Sequence, residues 1–201
     1  MKKRLLLLVI YLAFISLGLP DSLLGSGWPS MFISFDVPIH YGGIIAMIVA
    51  SGTVISSLFS AKLIQRFGVA KITTISVLMT ALALLGFAHS ENFIFICILA
   101  IPLGLGAGCV DVALNNYVAL HYRAIHMNWL HCFWGVGAAI GPMLMARYLA
   151  MGQSWKEGYN AVSWVQMGLV FILLLSIPLW GKKAKNQEAS RGSQSKLSLM
   201  K

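Results

Sequence analysis

Residues 93–119 read FIFICILAIPLGLGAGCVDVALNNYVA. About 20 apolar residues suffice to cross a hydrocarbon core, so this run is long enough to span a membrane, yet it carries a carboxylate, Asp111. A second run, RLLLLVIYLAFISLGLPDSLLGSGWPSMF from Arg4 to Phe32, encloses Asp21 in the same way. An ionised side chain at the bilayer centre costs about 2.5–3.5 kcal/mol even on the lenient insertion scale. The chain has only six acidic residues, and the other four (Asp36, Glu91, Glu157 and Glu188) fall in short polar breaks or near the end. Two intramembrane carboxylates in so charge-poor a chain point to a polar cavity that binds protons or a polar solute.

The rest of the sequence fits a membrane protein. Hydrophobic residues make up 58% of the chain and charged ones 10%, against about 25% charged in soluble domains. Six apolar stretches reach spanning length, at about 5–33, 42–61, 72–89, 93–119, 128–150 and 161–180. They form one all-α polytopic domain over 1–181, followed by a basic, Ser-rich tail over 182–201 that reads as disordered. The net charge of +9 is not a nucleic-acid signal, because the cations lie in the breaks and the tail. Thirteen Lys and Arg fall on one side of the expected topology, leaving only Arg147 and Lys156 on the other. That bias predicts both termini in the cytoplasm. The start resembles a secretory signal, but no small-residue cleavage site follows it, so it reads as an uncleaved first helix. Cys97, Cys109 and Cys132 give neither a disulfide framework nor metal spacing. No catalytic residue pair, metal cluster or cofactor motif stands out, which argues against an enzyme.

Helical spacing groups the polar residues. Asp111 and Asn115 share a face of the fourth segment, with Val118 one turn on. Asn128, His131 and Gly135 share a face of the fifth. Asp21, Gly25 and Trp28 line up on the first. An indole beside hydrogen-bonding groups can stack on a sugar while carboxylates and amides read its hydroxyls. The plainer alternatives are that Asn and His join helices and that Trp28 anchors the membrane interface. Gly104 with Gly108, and Gly137 with Gly141, have the small-xxx-small spacing of close helix crossings. Pro20, Pro29 and Pro142 interrupt backbone hydrogen bonding, as in the broken helices that line transporter cavities.

Three stretches carry a family resemblance: LGLPDSLLGSGWPSM (17–31), GLGAGCVDVALNNYVALHY (104–122) and MNWLHCFWGVGAAIGPML (127–144). With them the chain resembles the amino-terminal six-helix half of a major facilitator superfamily transporter, most similar to the fucose–galactose proton symporter branch and its bacterial sugar-permease relatives. The resemblance implies a multi-pass protein of the bacterial plasma membrane. It implies proton-coupling roles for Asp21 and Asp111, and solute contacts from Asp111, Asn115, Asn128, His131 and Trp28. The segment AKLIQRFGVAK (61–71) matches the superfamily's cytoplasmic gate loop at Arg66 and Gly68, with Gln65 where the family has Asp. The implied partners are protons, a small sugar-like solute, the lipid bilayer, and a second six-helix half or a copy of this chain, with no cofactor, metal or nucleic acid. GAAIGP (137–142) also resembles a drug–proton antiporter signature, and an orphan half acting as an accessory membrane subunit is the non-transporting alternative.

Overall fold

The computed structural model describes residues 2–180, so the expected tail over 182–201 lies outside the described residues. Among the described residues every regular element is helical: α1 Lys2–Asp21, α2 Leu23–Ser34, α3 Gly42–Phe67, α4 Val69–Ala88, α5 Phe93–His121, α6 Ala124–Ala150 and α7 Trp155–Ser176, with single 3-10 turns at Ile39–Tyr41 and Ile177–Trp180. Six spans among the described residues are long and apolar enough to cross a membrane, α1 and α2 together forming the first, Lys3–Ser34. The fourth, fifth and sixth spans are therefore α5, α6 and α7.

The ends differ from the sequence reading because helices continue through polar residues that hydropathy treats as breaks. α3 runs on to Phe67, so Lys62 and Arg66 are helical, and the Arg66 guanidinium sits 5.3 Å from the Phe67 ring. The expected gate loop shrinks to Gly68, whose φ of 84° and ψ of 153° suit only glycine. α6 begins at Ala124, so Asn128 is already one turn inside it. α7 begins at Trp155, where the Ser154 hydroxyl accepts the Lys156 N–H at 3.3 Å, and Glu157 stands in the first turn. Asn92 caps α5 in the same way through the Ile94 N–H, at 2.8 Å. Such caps satisfy amide groups that have no partner inside the helix.

Tight crossings pair α3 with α5 and α1 with α6, and α4 packs on both α5 and α7. Glycines make the first two possible. A side chain at Gly104 would meet the Val49 carbonyl, and one at Gly108 the Thr53 carbonyl and the Ser56 hydroxyl. Gly137 faces the Ile15 carbonyl and Gly141 the Leu19 carbonyl. The Thr53 hydroxyl joins α3 to α5 by lying 3.3 Å from the Gly104 carbonyl.

Two apolar clusters occupy opposite ends of the bundle. One gathers Leu6, Ile10, Phe14, Ile64, Val118, Leu130 and Trp180. The other gathers Leu23, Met31, Ile45, Phe87, Ile96, Trp155 and Tyr159. The start of α1, the Gly68 junction, the α5–α6 turn and Trp180 thus share one end. Lys3, Arg4, Lys62, Arg66, Lys71 and Arg123 are at that end as well, while Arg147 and Lys156 are at the other.

Candidate functional site

Between the two clusters, α1, α5 and α6 bring the polar residues together. The first span breaks where Pro20 removes a backbone donor and Ser22 separates α1 from α2. Asp21 is the last residue before the break and is exposed. Its Oδ2 accepts the Trp134 indole N–H from α6 at 2.9 Å. Beside the break, the Ser22 hydroxyl donates to the Ala138 carbonyl at 2.7 Å. The α1–α6 crossing is close enough for this because Gly18 and Gly137 meet backbone to backbone.

On α5, the Asn115 amide donates to Asp111 Oδ1 at 2.9 Å, one turn apart. Asp111 is exposed. It lies within electrostatic range of Asp21 and of His131 on α6. The His131 ring stands edge-on to Phe14, with centroids 6.3 Å apart. Asn128 is exposed on α6, one turn nearer the cation-rich end. Among the described residues neither aspartate forms an ion pair with Lys or Arg. Each carboxyl therefore takes one N–H donor on one oxygen, and the other oxygen can accept a further donor.

A crevice of about 190 Å³ opens beside Asp21, lined by Pro20, Leu24, Val49, Phe87, Leu103 and Tyr159 among others. Asp21 is its only charged lining group; the other walls are mainly apolar. Polar and apolar surfaces so close together suit a small solute with one face of each kind.

The structure brings together Asp21, Asp111, Asn115 and His131, with Asn128 one turn below. It does not bring Trp28 to them. The Trp28 ring is buried, donates to the Ile39 carbonyl at 2.6 Å and packs against Phe32, Phe93 and the Gly42 backbone. The break at Ser22 changes the helical phase, so residues seven apart across it no longer share a face. Val118, expected on the Asp111 face, is fully buried. Arg66 and Gly68 lie at the α3–α4 junction, at the cation-rich end. Sequence reasoning missed Trp134, although its position three residues after His131 puts it on the same face of α6.

A family model described as Major Facilitator Superfamily matches residues 10–200. The cis,cis-muconate transport protein of Acinetobacter baylyi is 26% identical over 157 residues, 76% of this chain and 38% of that protein. The glucose/mannose transporter of Bacillus subtilis is 20% identical over 185 residues, 91% of this chain and 44% of that protein. The chain thus spans less than half the length of these relatives. The crystal structure of a peptide transporter, POT, in complex with sulfate matches 98% of this chain and 45% of its own, with a TM-score of 0.73 at 12% identity. That last likeness is one of fold.

Proposed function

We propose, from the premise that this multi-pass membrane chain belongs to the Major Facilitator Superfamily, that it supplies one six-helix half of a proton-coupled transporter for a sugar-like or similar small polar solute. The observation that carries this reading is the exposed carboxyl pair. Asp21 and Asp111 stand on different spans within electrostatic range of one another, held by Trp134 and Asn115 rather than by cations. Carboxylates within membrane spans almost always face the bundle interior or a water-filled cavity, and they mark solute and proton pathways. These two are held on the surface of the six-helix unit, where a second six-helix unit would enclose them. In that arrangement both ends of the six-helix unit lie in the cytoplasm and the two units are related by an axis along the membrane normal.

Mechanistically, a carboxyl that holds a proton when sealed from water and releases it when water enters from one side ties solute movement to a pH gradient. Asp21, at the break in the first span, has that role. Asp111 with Asn115 and His131 reads solute hydroxyls through the free carboxylate oxygen and the ring nitrogens. The relative named for glucose and mannose supports a sugar, and the one named for cis,cis-muconate makes a small organic acid the second solute class. The test is uptake into proteoliposomes under an imposed pH gradient, by the chain alone and with its genomic neighbours, using labelled hexoses and dicarboxylates. Uptake of neither class under any gradient would reject the transport reading.

A further inference from the structure

Pro20 has no N–H, so the Ser16 carbonyl one turn before it lacks the donor a continuous helix would provide. This carbonyl does not go unpaired. The side chain of Gln166, from the middle of α7, donates to it through Nε2 at 3.0 Å. Gln166 is 1% exposed. Its Oε1 accepts the hydroxyl of Thr80 on α4 at 2.9 Å, and Thr80 is also buried. The amide orientation is fixed by its partners: a carbonyl can only accept, so the NH2 must face Ser16. On the opposite side of the break, Ser22 is tied to Ala138. The stretch from Ser16 to Ser22 is thus held by α7 behind and α6 in front, and Asp21 lies between the two ties.

We propose that Gln166 is a positioning residue for Asp21: its amide stands in for the N–H that Pro20 lacks and fixes the break that aims the carboxyl at Trp134. The inference rests on reading Asp21 as the coupling group, but its test needs no transport. The titratable group acting on Asp21 is Asp111 on α5, which in turn faces His131 on α6, and Tyr159 of α7 lines the same crevice as Asp21.

Replacing proline with alanine at position 20 returns an N–H in register with the Ser16 carbonyl, which makes the Gln166 amide redundant. The experiment is a cycle of Gln166→Met, Pro20→Ala and the double variant in the full chain, purified in detergent. The readout is the infrared titration midpoint of the carboxyl band that Asp21→Asn removes. Gln166→Met is expected to displace that midpoint from its wild-type value. Adding Gln166→Met to Pro20→Ala is expected to leave the midpoint where Pro20→Ala alone sets it. A wild-type midpoint in Gln166→Met, even with a lowered melting temperature, would overturn the proposal, because a purely packing role changes stability alone. So would a further displacement in the double variant. If Gln166→Met does not fold, the comparison of Pro20→Ala with the double variant decides. Failure of the double variant to fold would show that Gln166 acts other than through this carbonyl. Retention of proton-driven uptake by Asp21→Asn would remove the coupling role and leave the Gln166 link standing.

Discussion

Gly137 and Gly168 are both helical glycines, and the structure assigns them opposite signs on substitution by alanine. A Cβ at Gly137 would press on the Ile15 carbonyl oxygen, lie 2.9 Å from its carbon and 3.2 Å from Gly18 Cα. All three are backbone atoms and cannot rotate away, so α1 and α6 must separate. Overpacking costs about 1–3 kcal/mol, against which alanine recovers about 1 kcal/mol of helix propensity. With the obstacle immovable the cost falls in the upper part of that range, about 2–3 kcal/mol, and a net loss of about 1–2 kcal/mol remains. For a chain of this size, where each kcal/mol moves the midpoint by about 2–4 °C, that lowers the melting temperature by about 2–8 °C. At Gly168 nothing lies within 4 Å of the added methyl. Only the propensity gain of about 0.5–1 kcal/mol applies there, raising the midpoint by about 1–4 °C. Thermal melting of the purified variants in one detergent, followed by tryptophan fluorescence, reads both. A Gly137→Ala chain that melts at or above wild type would refute the close-crossing account, as would equal losses at the two sites.

Three other outcomes are expected. Asp111→Asn abolishes or sharply weakens solute binding while membrane insertion and folding are unchanged; unaltered affinity by equilibrium binding would return Asp111 and Asn115 to a helix-joining role. Asp21→Asn retains solute exchange between the two sides of a proteoliposome membrane but loses accumulation driven by a pH gradient, and full accumulation in that variant would remove Asp21 from coupling. In a background lacking the free cysteines Cys97, Cys109 and Cys132, Glu91→Cys reacts with an impermeant maleimide in intact cells, whereas Lys71→Cys reacts only after permeabilisation; the reverse pattern would invert the assigned orientation.

The six spans were legible because membrane hydropathy needs no tertiary information. Their ends were less so, since Lys62 and Arg66 are helical yet polar, and long cationic side chains can reach water from inside a helix end. The caps at Asn92 and Ser154 were available signals for the starts of α5 and α7. At the candidate site, Asp111 and Asn115 were legible because they lie on one uninterrupted helix. Trp28 was misaligned with Asp21 because spacing arguments assume a straight helix and the first span has a break at Ser22. Trp134 was within reach of the same spacing logic on α6. Gln166 was not, because a proline announces that a carbonyl needs a donor without saying which of five other spans supplies it.

The pairing of α1 with α6 also has a consequence for biosynthesis. Asp21 and Trp134 are 113 residues apart in the chain. At about 5–20 residues per second of synthesis, the first span spends roughly 6–23 s in or beside the insertion machinery before its partner emerges. Throughout that interval the ribosome holds a lipid-facing segment with an acidic group and a proline and no indole to meet it. Retention of this span by the translocon or by an insertase is thus a step on which cellular yield depends. Under the proposed coupling role, membrane insertion and proton coupling are therefore separate demands on the same residue.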